Sequence, residues 1–178
     1  LKGKKASLAA VFLLILVLLA KPVDTSAKIK EVSALENPQW TIVGQVGVTQ
    51  EESWLQSMCV TENYIVCFEN TSNNDDDPDT LLAFYKNDYD ENGNPVERYS
   101  LAKTVTERDY EHGNGMTYNP NTNEIVIAPS KPRNKENMGV VYKVDGTTLE
   151  YKETVTVADS NMRIEAVDYD TETGQYIL

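Results

Sequence analysis

Gln56, Asn114 and Glu165 stand 58 and 51 residues apart, and two positions before each come Trp54, His112 and Arg163. Two amides and a carboxylate supply donors and acceptors. The indole adds a flat apolar face with one N–H, the imidazole a titratable group, and the guanidinium a fork of donors. Such a set suits a polar ligand, a glycan or a peptide, and it recurs where a packed core would need apolar side chains. A competing reading is that strand entrances are solvated and polar in any case, with Gly113 and Gly115 serving backbone geometry.

The same residues are poor equipment for covalent catalysis. His112 is the only histidine, so any Ser-His-Asp or Cys-His relay must pass through it, and no serine lies in a G-x-S-x-G setting. No catalytic residue and no metal ligand is therefore assigned. Asn114 and Glu165 carry oxygen donors of the kind a hard divalent cation such as calcium takes, but too few carboxylates accompany them to assign a cofactor. Asp88-x-Asp90-x-Asn92-Gly93 copies the first half of a calcium loop, yet Tyr99 occupies the twelfth position, where a bidentate Glu is required. An Asn-Gly hairpin turn explains the same letters.

What must position these residues is a repeat. Each triplet member precedes an apolar segment, a polar turn and a second apolar segment: Trp54–Phe68, Glu111–Pro129 and Arg163–Leu178. Overlaid, Met58, Met116 and Val167 coincide, as do Val60, Tyr118 and Tyr169, then Ile65, Ile125 and Tyr176. The turns open with Thr61, Asn119 and Asp170, whose side chains can bond the backbone two residues on. They close with Asn63, Asn123 and Gly174, types that tolerate a left-handed backbone. Recurrence at 50 to 58 residues is the mark of a repeat architecture.

The chain from Trp40 onward reads as strands throughout. Trp40–Val48 is an expected outer closing strand. The first repeat gives Ser57–Val60, Tyr64–Glu69, Leu81–Lys86 and Val96–Val105, with a polar loop Asn70–Asp79 and a turn Asn87–Pro95. The second gives Gly115–Tyr118, Glu124–Ala128, Gly139–Val144 and Glu150–Val157, with a loop Pro129–Met138. The third gives Ile164–Tyr169 and Gln175–Leu178. No later segment sustains a helical period. Four antiparallel strands every fifty or so residues describe a blade of a β-propeller, whose two apolar faces need neighbours. The expected fold is thus all-β: a fragment of about two and a half four-stranded antiparallel blades, near 54–105, 112–157 and from 163, in a longer protein.

The run G-M-T-Y-N-P-N-T-N-E-I-V-I with the later G-V-V-Y-K-V-D-G-T-T-L resembles exported bacterial β-propeller repeat proteins, similar to the YVTN and NHL families, over residues 40–178. The resemblance implies a propeller and says little of chemistry, because such scaffolds host binding, hydrolase and lyase functions alike. Ligands of propellers gather at the central channel, beside the starts of the innermost strands. The leading expectation is a non-catalytic binding or scaffold domain that recognises a cell-wall polymer, glycan or protein there through Trp54, Gln56, His112, Asn114, Arg163 and Glu165. The rival is an extracellular lactonase-like hydrolase or lyase. A divalent ion held by Asn114 and Glu165 would resemble gluconolactonase-type propellers.

Compartment and partners follow from the remaining residues. Lys2, Lys4 and Lys5 precede thirteen uncharged residues, Leu8–Ala20. A helix of that length spans roughly 20 Å against about 30 Å of hydrocarbon, short for a stable anchor. Thr25-Ser26-Ala27 offers small residues for cleavage, so residues 1–27 read as a signal peptide and 28–39 as a linker. The protein is expected to be secreted or at the cell surface, touching a membrane only through an uncleaved signal. The net charge is −12; residues 1–27 hold four lysines and one aspartate, which leaves 12 basic and 27 acidic residues beyond them. With no concentrated basic face, nucleic acid is not an expected partner. Export permits a disulfide, but Tyr64 as the first residue of its strand leaves Cys59 and Cys67 offset, so two buried free thiols are expected.

Overall fold

The computed structural model describes residues 44–51, 53–71, 79–130 and 137–178, an all-β arrangement of ten strands. The signal peptide, the linker and residues 40–43 lie outside these, as do 72–78 and 131–136 within the two long loops. β1 (Ser53–Val60), β2 (Tyr64–Thr71), β3 (Asp79–Tyr85) and β4 (Leu101–Arg108) form one antiparallel sheet in chain order. β5 (Gly115–Asn119), β6 (Glu124–Ala128), β7 (Val140–Asp145) and β8 (Tyr151–Thr156) form a second, and β9 (Asp168–Asp170) with β10 (Gln175–Ile177) a third. Among the described residues no helix is long and apolar enough to cross a membrane.

The repeat alignment predicts the register. Val60 pairs with Ile65, Tyr118 with Ile125 and Tyr169 with Tyr176, so aligned positions are cross-strand partners in all three hairpins. Asn123 and Gly174 take the left-handed backbone, with φ 52° and 71°. Asn63 does not. Its turn is two residues shorter, and Thr61 closes it by exchanging bonds with Tyr64, so a right-handed turn suffices. Asn119 and Asp170 each accept from the backbone N–H two residues on.

Alternation gives each sheet two faces. In the first sheet Cys59, Val66, Phe68, Leu81 and Ala83 share one face and pack in a single cluster with Met116, Ile125, Ile127, Tyr142 and Val144 of the second. The second sheet's opposite face carries Val126, Ala128 and Val141, which cluster with Ile164 and Val167 of the third unit. Val66 and Val126 are equivalent in the repeat, as are Met116 and Val167. Each sheet therefore presents the same face to its successor, and the leading strands touch in sequence, β1 on β5 and β5 on β9.

Four segments depart from expectation. Residues 44–48 are not a strand: Val46 packs on Cys67, Leu82 and Phe84, and the Thr49 and Gln50 N–H groups bond the buried Glu69 carboxylate instead of a ladder. Residues 96–100 form a turn, with Tyr99 at φ 69° and the Tyr99 N–H on the Tyr85 carbonyl, so β4 starts at Leu101 and runs three residues beyond Val105. Residues 164–167 run without a ladder. There the Ser130 N–H bonds the Ile164 carbonyl and Gly115 presses against Ala166, which leaves β9 only three residues long. Asn70 and Asp79 close the neighbouring strands rather than opening and ending a loop.

Candidate functional site

The three aligned polar positions are joined in one hydrogen-bonded row across the leading strands of all three units. The Trp54 Nε1–H donates to Gln56 Oε1 at 2.7 Å, and Gln56 Nε2 donates to Asn114 Oδ1 at 2.5 Å. Asn114 Nδ2 then donates to Ser130 Oγ at 2.7 Å, and the Ser130 hydroxyl donates to Glu165 Oε2 at 2.5 Å. Each amide uses its oxygen on one side and its nitrogen on the other, which fixes the direction of the whole row. Its ends are open: Trp54 is 41% exposed and Glu165 is exposed.

Local backbone features aim these side chains. Gln56 is the extra residue of a β-bulge: Leu55 pairs with Glu69 and Ser57 with Phe68, so Gln56 has no partner and its side chain turns towards the second sheet. Beside it the Ser57 hydroxyl donates to the Gly113 carbonyl at 2.6 Å. Ser130, fully buried, follows β6 in the left-handed region at φ 64°, where its N–H reaches Ile164 and its hydroxyl joins Asn114 to Glu165. Antiparallel pairing places the end of each second strand beside the start of the first. That rule could have located Ser130; the repeat alignment of first strands alone does not.

Trp54, Gln56, Asn114 and Glu165 are thus brought together. His112 is half-buried with its N–H on the Pro129 carbonyl, and Arg163 is exposed; neither joins the row. The glycines around Asn114 serve close packing. A Cβ on Gly113, at φ 55°, would lie 2.5 Å from the Phe68 ring, and one on Gly115 would lie 2.8 Å from Ala166 Cα. They bring sheet to sheet, so the alternative role of backbone approach to a ligand is not needed to explain them.

The thiols offer no nucleophile. Cys59 belongs to the cluster between the sheets and Cys67 to the cluster on the opposite face, so the two side chains point away from one another and both are free and buried. Burial pushes the Cys59 thiol up to about 12, helped by Cys67, and the Cys67 thiol up to about 11, which keeps both protonated. The Asp90 carboxylate is spent on its own turn, accepting from the Asn92 and Asn94 N–H groups, while Asp88 pairs with Arg98 at 2.9 Å. Among the described residues no group of three or more His, Cys, Asp or Glu is placed to hold a metal ion.

Glu69 was not singled out by spacing. Fully buried, it accepts from Thr49 N at 2.7 Å, Thr49 Oγ1 at 2.6 Å, Gln50 N at 3.1 Å and Ser53 Oγ at 2.7 Å. Burial raises its pKa, and these bonds together outweigh that and hold it below the ordinary carboxyl value. Its role is to strap residues 44–51 onto the first sheet. In comparisons with protein-family models and with curated proteins, the chain matches none.

Proposed function

We propose that this chain is the first part of an exported β-propeller whose leading strands present a recognition edge for an extracellular polar ligand, a cell-wall polymer or other glycan. The blade reading is supported by the repetition of one face-to-successor packing through three sheets. A two-layer sandwich would instead turn like faces together. The observation that carries the function is the Trp54–Gln56–Asn114–Ser130–Glu165 row, in which successive sheets deliver amide and carboxylate groups to one line. A sugar presents hydroxyls that bond such groups and an apolar ring face that stacks on an indole, and the acidic remainder of the chain disfavours anionic polymers. Binding rather than turnover is favoured because no carboxylate among the described residues bonds the His112 ring, leaving it without the orienting partner a general base needs.

The test is binding of solubilised peptidoglycan fragments and a panel of neutral oligosaccharides to the chain and to Trp54→Ala. Loss of the indole should weaken binding at least tenfold. Retention of full affinity by Trp54→Ala and by Glu165→Ala would remove this edge from the site.

A further inference from the structure

A second surface lies on the far side of the second sheet. Val126, Val141, Val155 and Val157 line a cleft of about 200 Å³, closed on its other side by Val167, Tyr176 and Leu178. The register identifies each of these positions with one in the first sheet. Val66 pairs with Ala83 as Val126 pairs with Lys143, and Leu81 pairs with Val105 as Val141 pairs with Val155. Val126, Val141 and Val155 are therefore the counterparts of Val66, Leu81 and Val105.

What covers those counterparts is visible. Val66 and Leu81 are wholly buried in a cluster to which β7 contributes Val140, Tyr142 and Val144, with Val105 packed against it. β7 reaches them by pairing with β6, and β10 holds the place of β6 in the third unit. Among the described residues β10 pairs only with β9, so its other edge is open beside the cleft.

From this we propose that the cleft is a strand-accepting groove. Its occupant is an extended segment of the β7 type, with β-branched and aromatic side chains at alternate positions, adding antiparallel to β10. Main-chain bonds to the edge supply affinity, and alternate side chains filling the cleft supply selectivity. In the β7 pattern, a Val144-like residue lies opposite Tyr176 and a Tyr142-like residue opposite Leu178, as Val144 lies opposite Ile125 and Tyr142 opposite Ile127. Lys143 lines the cleft but is already paired, 3.0 Å from Glu153 and 3.5 Å from Glu124, so the groove asks for an apolar rather than an acidic strand. The inference rests on sheet register and stands whether or not the polar row binds a ligand.

The probe is a labelled, end-capped peptide copying residues 139–146, GVVYKVDG, titrated into the 178-residue chain by fluorescence anisotropy. Saturable binding is expected. It should weaken at least tenfold when the peptide carries Asp in place of its tyrosine, and likewise with the Val157→Asp chain, whose altered position is 39% exposed and so leaves the fold intact. Three results would overturn the proposal: no saturable binding by a chain whose circular dichroism reports β-sheet, equal binding of the Asp-bearing peptide, or a dimer of the chain that excess peptide does not displace.

Discussion

The buried Glu69 carboxylate shows how one residue holds a segment that has no ladder of its own. Its folded pKa is depressed, so the stabilisation is in place above the ordinary carboxyl value and is lost as pH falls through the lower folded value. Thermal melts of Glu69→Gln should therefore lie below the parent at neutral pH and converge on it in acid. The cysteines give a second prediction. Native protein should react with a thiol reagent such as DTNB at a small fraction of the rate seen after unfolding, and mild oxidant should yield no intramolecular disulfide, because the side chains lie on opposite faces. At this scale the sequence was partly legible. Gln56, Asn114 and Glu165 could be aligned because a repeat places like positions alike. Ser130 and Glu69 could not, because each acts through a long-range partner that no spacing records.

Strands were legible where alternation and turn chemistry agreed, as in β5 to β6, and illegible where tertiary bonds replaced the ladder. Val96–Ser100 has strand-like composition but spends its N–H groups on Asp88 and Tyr85 carbonyls in a turn. Ile164–Val167 alternates well, yet its backbone is committed to Ser130 and to close approach by Gly115. That approach has a measurable consequence. Gly115→Ala puts a methyl 2.8 Å from Ala166 Cα, where backbone must move to admit it. The cost should be about 1–3 kcal/mol, as for overpacked sites. It should fall on the third hairpin, seen as faster amide hydrogen exchange at Tyr169 and Tyr176 with little change in β2 or β3.

At the scale of the molecule, composition and period foretold sheets of four strands in succession, and the structure supplies the order in which their faces meet. That order was not readable from periodicity, since alternation assigns residues to two faces without saying which face meets which neighbour. The account rests on it, because only sheets following one another in a single sense carry Gln56, Asn114 and Glu165 to one line. Nuclear Overhauser contacts in a methyl- and tyrosine-labelled sample test this most directly. The account predicts cross-peaks linking the Val66 and Leu81 methyls with the Ile125, Ile127 and Tyr142 group, and linking Val126 and Val141 with Val167 and Ile164. Direct cross-peaks between Val66 and Val126, with those links missing, would mean that like faces meet as in a sandwich, and would contradict it.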